Sequence, residues 1–292
     1  MKILNSLTPY TLFGLTPQYE ESKIVVLPVP YDSTTSYKAG ARDGPHEIIS
    51  ASRTVEPYNE ELDIDINDIL VYTTDELAPD VNSPKAMSNR VEREVDVILQ
   101  DKKIPIVLGG DHSISIGAVA SVAKIEKNFT YLHFDAHSDS RDEYSGSKYS
   151  HACVVARVGE LTNSHYSVGV RSIEKEGMKF FKTTLFRKDM HSMNLQEISD
   201  LILKNTNSKI YLSIDFDVLD PSQMPSTGTP EPDGLTFYEL KEILKRVLSK
   251  REVIGMDFVE LSPIPGLVYP NFLAAKLIYF AIGYAFNKRA SV

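Results

Sequence analysis

The sequence predicts an α/β protein built on a mostly parallel sheet covered by helices. Short apolar, β-branched runs recur along the chain, and helical patterns lie between them. The runs are continuous rather than alternating, as strands buried on both faces require. Strand–helix alternation of this kind implies parallel strands joined by crossover helices. An eight-stranded barrel is the competing architecture, and periodicity alone does not separate the two.

The strand candidates, in order, are Ile24-Val-Val-Leu-Pro-Val, Ile69-Leu-Val-Tyr, Ile104-Pro-Ile-Val-Leu, Thr130-Tyr-Leu-His-Phe, Tyr166-Ser-Val-Gly-Val, a weaker run over residues 183–186, Ile210-Tyr-Leu-Ser-Ile and Val253-Ile-Gly-Met-Asp-Phe. Met87, Val91, Val95, Ile98 and Leu99 fall on one face of a helix. Phe237, Leu240, Ile243, Leu244 and Val247 do the same, and Thr236 with Glu239 forms a capping box that starts that helix. No internal repeat, linker or composition break divides the chain, so residues 1–292 are expected to form a single domain.

Of 292 residues, 42% are hydrophobic and 24% charged, enough apolar material for a large core. The formal net charge of -9 argues against nucleic acid as a partner, because phosphates need a basic face. It suits metal ions or cationic substrates, although net charge speaks first to solubility. Cys153 is the single cysteine, so no intramolecular disulfide can form; it is expected to be a small buried residue. Met1 to Leu15 lack a basic-then-apolar signal pattern, and no apolar run reaches the roughly 18 residues needed to span a bilayer. The expectation is a cytoplasmic protein with no membrane partner.

Chemistry concentrates at three strand ends: Gly109-Gly110-Asp111-His112-Ser113, Asp135-Ala-His137-Ser-Asp139 and Asp215-Phe-Asp217. In open α/β sheets the ligand crevice lies beyond the carboxyl ends of the strands, so these groups should converge there. Residues two apart on an extended strand face the same way, which places Asp135, His137 and Asp139 together, and likewise Asp215 and Asp217. Unpaired, such a cluster is very costly to bury. A divalent cation reverses the cost by favouring ionised carboxylates and neutral imidazoles. Four Asp and two His without thiolate favour a harder ion such as Mn²⁺. Six ligands exceed what one tetrahedral ion needs, and suit two ions roughly 3.5–4 Å apart with bridging carboxylates. His133, mid-strand, is expected to be a packed histidine rather than a ligand.

With these motifs in view, the sequence resembles the ureohydrolase family, which includes arginases and agmatinases. The resemblance covers most of the chain. Residues 30–45 look like the family's glycine-rich N-terminal loop. The three strand-end motifs match its metal motifs, the third as Ser213-Ile-Asp-Phe-Asp-Val-Leu-Asp-Pro221, followed by Gly228-Thr-Pro-Glu-Pro-Asp-Gly234. Gly255-Met-Asp-Phe-Val-Glu260 looks like its last strand and substrate acid. Val218 replaces a more usual glycine, with the ligands kept.

The resemblance implies a three-layer α/β/α sandwich with a mostly parallel sheet of about eight strands, and two Mn²⁺ per chain. His112 and Asp139 would hold one ion, His137 and Asp217 the other, and Asp135 and Asp215 would bridge. His151 would be a mobile proton shuttle and Glu260 the acid that grips the guanidinium, with His151 or Asp139 protonating the departing amine. The implied partners are a small cationic guanidino substrate and further copies of the chain, in a homo-trimer or homo-hexamer.

Agmatine, cleaved to putrescine and urea, is the expected substrate. The loop over residues 140–149 lacks the asparagine with which arginases bind an amino acid's carboxylate, and offers Asp142 and Glu143 instead. Arg141 and Lys148 cut the other way, toward arginine or guanidinobutyrate. Glu174, in Gly169-Val-Arg-Ser-Ile-Glu174, matches a family segment that in arginase carries an aspartate for the substrate's amino group. It is the first candidate for the distal amine. A two-metal phosphoesterase and a non-catalytic relative are the alternatives from other classes; the first lacks a convincing phosphate clamp here, and the second would show degraded ligands.

Overall fold

The computed structural model describes residues 8–287; residues 1–7 and 288–292, which include both ends of the expected single domain and the start of the Met1–Leu15 segment that lacks a signal pattern, lie outside the described residues. Its centre is an eight-stranded sheet in the order β4-β1-β5-β10-β9-β6-β7-β8, every pairing parallel. The sheet is open at β4 and β8, which rules out the barrel.

β1 (Ile24–Val29) is buried throughout and contains Pro28. Proline cannot donate to a ladder. Here the Pro28 carbonyl accepts from Leu77 N beyond the end of β4 (Val71–Thr73), so the missing N–H falls where no strand pairs. α1 (Gly44–Ser52) follows, with Pro45 in its first turn, where the absent N–H costs nothing. A small antiparallel pair, β2 (Tyr58–Asn59) and β3 (Ile64–Asp65), precedes β4.

α2 (Pro84–Gln100) is capped by Ser83 and buries Met87, Val91, Val95 and Ile98, the stripe read from the sequence. It leads to β5 (Ile104–Gly109), α3 (Ile114–Ile125) and β6 (Thr130–Phe134). α4 (Val154–Val158), β7 (His165–Val170) and β8 (Thr184–Phe186) complete one wing of the sheet. α5 (Arg187–Met190) and α6 (Leu195–Lys204), the latter with an Asn194–Glu197 capping box, return the chain to β9 (Lys209–Asp215). α7 (Phe237–Leu248) has the expected Thr236–Glu239 box; β10 (Glu252–Val259) and α8 (Tyr269–Phe286) follow.

Two apolar cores lie on opposite faces of the sheet. One packs Leu132, Leu212, Ile214 and Phe258 against α1, α6, α7 and α8. The other packs Val107, Tyr131, Tyr211 and Val259 against α2, α3 and α4. This is the three-layer sandwich. The chain leaves β6 toward β7 and leaves β9 the opposite way toward β10, so the connections diverge between adjacent strands. A crevice opens at such a point. No helix among the described residues is long and apolar enough to cross a membrane.

Candidate metal centre

β5 ends in Gly109-Gly110, and a Cβ at Gly110 would lie 1.8 Å from the Tyr31 carbonyl oxygen. Only glycine lets this loop press against the end of β1, where Gly110 N donates to Val29 O and Asp111 N to Tyr31 O. Asp111 is fully buried. Its Oδ2 accepts from Thr34 N (2.8 Å) and Thr34 Oγ1 (2.9 Å), while Oδ1 accepts from Ser113 N and the Ser113 hydroxyl. Asp111, assigned no role from the sequence, thus ties the residue 30–45 loop to the start of α3.

His112 is held on three sides. Its N donates to Glu260 Oε1 (2.7 Å) and its Nε2 lies 3.0 Å from Ser213 Oγ. Its Nδ1 stands 3.2 Å from an oxygen of each of Asp135, Asp139 and Asp215. None is aligned as a hydrogen bond, so a buried ring nitrogen faces three carboxylates without a partner. On the other side, His137 Nδ1 is 2.8 Å from Asp217 Oδ2 and 3.6 Å from Asp135 Oδ1. Asp217 Oδ1 accepts from Ala136 N, and Asp215 Oδ1 accepts from Asp217 N, so backbone donors fix both acids.

Donor atoms of His112, His133, Asp135 and Asp139 lie within 4.8 Å of one another, as do those of Asp135, His137 and Asp217. Asp135 is common to both groups, as a bridging carboxylate must be. Asp215 belongs to neither, although it sits as close to His112 Nδ1 as Asp135 does. His133 is packed in the sheet as expected, but it is also bonded to the cluster: Nε2 is 2.7 Å from Asp135 Oδ2 and Nδ1 is 3.2 Å from Ser167 Oγ. Both nitrogens are engaged, which leaves no lone pair for an ion; it orients Asp135 instead.

The electrostatics fit a cation. Burial, then the neighbouring Asp217 and Asp135, pushes the Asp215 carboxyl well above the ordinary range. Burial also raises Asp217 against the pull of His137. A divalent ion relieves both by favouring the ionised forms. The buried, unpartnered His112 Nδ1 and the oxygen-rich donor set therefore fit a candidate binuclear site.

A cavity of about 280 Å³ opens onto this cluster. His137, Asp139, Asp215, Asp217, His151, Glu174 and Glu260 all line it, whereas His112 and Asp135 lie beneath. Asp139 (φ 46°) and Glu260 (φ 66°) both adopt the left-handed backbone region, uncommon for residues with a Cβ and often found at functional sites. Burial and nearby Asp111 push the Glu260 carboxyl well above its usual range. His151 N donates to Thr34 Oγ1 (3.0 Å), and its Nδ1 lies 3.2 Å from the same oxygen. Glu174 accepts from Ser138 Oγ (3.0 Å) and Ser140 Oγ (2.9 Å).

Asp142 and Glu143 do not line the cavity. Asp142 pairs instead with Lys148 and Arg157, and Glu143 is exposed. Two further residues shape the site. Arg171 donates to the carbonyls of Asp217 (2.7 Å), Glu231 (2.9 Å) and Pro232 (2.9 Å), tying the loop after β9 to the end of β7. Glu231 Oε1 stands 3.7 Å from His137 Nε2. Glu231 lies in the quoted Gly-Thr-Pro-Glu stretch, which alone could have drawn attention to it.

Residues 22–283 match the arginase family. The chain is 36% identical over 276 residues to the N(1)-aminopropylagmatine ureohydrolase of Synechocystis sp., covering 91% of this chain and 90% of that one. It is 32% identical over 254 residues to the agmatinase of Bacillus subtilis, covering 85% and 86%. The crystal structure of the agmatine ureohydrolase of Thermoplasma volcanium superposes with a TM-score of 0.87 at 32% identity, covering 97% and 95%. The chain belongs to the arginase family and is a metal-dependent ureohydrolase of the agmatinase type.

Proposed function

We propose that this protein hydrolyses the guanidino group of agmatine, giving putrescine and urea, at a pair of Mn²⁺ ions. One observation carries the reading. Among the described residues, two carboxylates apart from the candidate ligands line the cavity, Glu260 and Glu174, with Lys38 and Arg141 as the cations beside them. A substrate with a guanidinium at one end and an ammonium at the other needs two such partners.

His112 and Asp139 would hold one ion, His137 and Asp217 the other, with Asp135 and Asp215 shared. When bound, the ions supply a hydroxide nucleophile near neutral pH and withdraw charge from the reacting group. Glu260, fixed by the His112 N–H, orients the guanidinium carbon. The Thr34 hydroxyl donates to Asp111, so His151 Nδ1–H donates to Thr34 Oγ1, and Nε2, 3.4 Å from Ser36 Oγ, is left as the exchangeable site. Once Nε2 has taken a proton from solvent, the imidazolium passes it to the departing amine, with Asp139 the alternative donor. Glu174, preset by two serine hydroxyls, takes the ammonium.

A second reading is agmatine extended by an aminopropyl arm. Relatives such as the Synechocystis enzyme carry that name. Tyr37 lines the cavity, is 83% exposed and offers a ring face to a further ammonium, whereas the Tyr144 ring is already faced by Arg141, 5.3 Å from its centroid.

Chelation should abolish urea release, with Mn²⁺ restoring it better than Mg²⁺ or Zn²⁺, and Asp215→Ala should lose binuclear occupancy. Full activity in chelator-treated protein would sink the metal mechanism. kcat/KM should be higher for agmatine than for arginine or guanidinobutyrate. A preference for N1-aminopropylagmatine over agmatine selects the second reading, and a preference for arginine overturns both.

A further inference from the structure

One pleat below the candidate ligands, a row of polar side chains crosses the middle of the sheet. In register, Ser167 on β7 neighbours His133 on β6, His133 neighbours Ser213 on β9, and Ser213 neighbours Asp257 on β10. His133 and Ser213 precede Asp135 and Asp215 by two residues, and so share their face of the sheet. All four side chains are buried. His133 is accounted for by its bond to Asp135. Asp257 is not: it touches neither the cavity nor a candidate ligand, yet it is a carboxylate with no exposure at the centre of a parallel sheet. Burying such a group is costly unless hydrogen bonds or a partner charge hold it.

What it acts on is Ser213. The Ser213 hydroxyl donates to Asp257 Oδ1 at 2.6 Å, and the same oxygen lies 3.0 Å from His112 Nε2. A hydroxyl has one proton to give. With that proton directed to Asp257, Ser213 can only accept from His112; at 3.0 Å it is the nearer neighbour of Nε2, the Tyr131 hydroxyl standing at 3.4 Å, and this places the imidazole proton on Nε2. In the neutral ring Nδ1 then carries the lone pair, and Nδ1 is the nitrogen that faces Asp135, Asp139 and Asp215. We propose that Asp257, acting through Ser213, is a positioning residue that holds His112 in the Nε2–H tautomer with Nδ1 turned to the ion it binds. The inference rests on the reading of this cluster as a two-ion site. It adds to that reading an acid that no ion touches.

The chain is tested on metal affinity rather than on rate. Wild type, Asp257→Leu, which removes both acceptor oxygens, Ser213→Ala and the double variant are made metal-free, checked for folding by Tm, and titrated with Mn²⁺ against a competing fluorescent chelator. Wild type should bind two ions per chain; if it binds no pair, the two-ion reading fails, and the variants are then not the cause. Each single variant should weaken one of the two ions about 10–100-fold and leave the other within about twofold. Because both residues act along one chain of bonds, adding Asp257→Leu to Ser213→Ala should cost nothing further. Unchanged affinity for both ions, equal weakening of both, or additive losses in the double variant would each overturn the proposal. Ser213→Ala removes a single hydroxyl, and so keeps the test decisive should Asp257→Leu fail to fold.

Discussion

Replacing Glu174 by glutamine removes a charge from the cavity while disturbing little else. The carboxylate holds one serine hydroxyl on each oxygen, Ser140 on Oε1 and Ser138 on Oε2, so its orientation is set before any substrate arrives. Glutamine keeps one of these acceptors. At the other position a serine hydroxyl can turn to accept from the new amide, so the fold should be unaffected. What is lost is the charge-assisted contact to an ammonium, worth about 1.5–3 kcal/mol. At 1.4 kcal/mol per decade, KM for agmatine should rise roughly ten- to hundredfold. Turnover at saturation should barely change, because the bond broken lies at the far end of the substrate. The assay is urea release over a range of agmatine concentrations, run in parallel on butylguanidine, which lacks the amine. The rise in KM should appear with agmatine alone. An unaltered KM, or the same factor on both substrates, would refute an amine contact and remove Glu174 from recognition.

Other perturbations test other parts of the molecule. His151→Asn should slow turnover by about 10²–10⁴-fold with two ions still bound per chain, by metal analysis. Gly110→Ala drives a methyl group into the Tyr31 backbone, and should lower Tm and soluble yield even with Mn²⁺ present. Glu61 accepts from Lys241, Lys245 and Tyr284; burial alone would raise its carboxyl, but these donors hold it down to about 2. Its folded-state pKa is thus below the unfolded one, so its contribution is complete above the unfolded value of about 4.3 and is lost as pH falls toward 2. Chemical denaturation should show Glu61→Gln less stable than wild type by about 1 kcal/mol at pH 7, the gap closing near pH 2.

Much of this is legible in the amino-acid sequence. The strand-end motifs mark where the ligands gather, but not by a continued extended chain: Asp135 and His137 lie just beyond β6, and Asp217 is brought round by a 3-10 turn (Phe216–Val218) in which Asp215 accepts from its N–H. α2 and α7 announce themselves by one apolar stripe and a cap. α3 and α8 do not, because they are buried nearly all round and so show no polar face to mark a period. Strand order was not legible either, since it depends on pairings between distant segments. The 140–149 loop misled in one respect: acidic residues near a site count only if they face it, and Asp142 is drawn away by Lys148 and Arg157. Asp257 sat in a recognised motif, but its contact with His112 runs through a serine on another strand.

The position of β10 bears on how the molecule is made. It is the last of the described strands along the chain, yet it lies between β5 and β9. Until it arrives, the growing chain holds β4-β1-β5 apart from β9-β6-β7-β8, each half with an unpaired edge where the middle of the sheet will be. The ligand set is divided in the same way, His112 with the first half and the five other candidates with the second. A ribosome adding roughly 5–20 residues per second needs on the order of a few seconds to pass from the end of β9 to the end of β10. During that interval both edges are open to any strand in reach, and no ion can be held between the halves. A chain stopped short of Glu252 would stay in that condition, with two parallel edges free to pair with another unfinished copy.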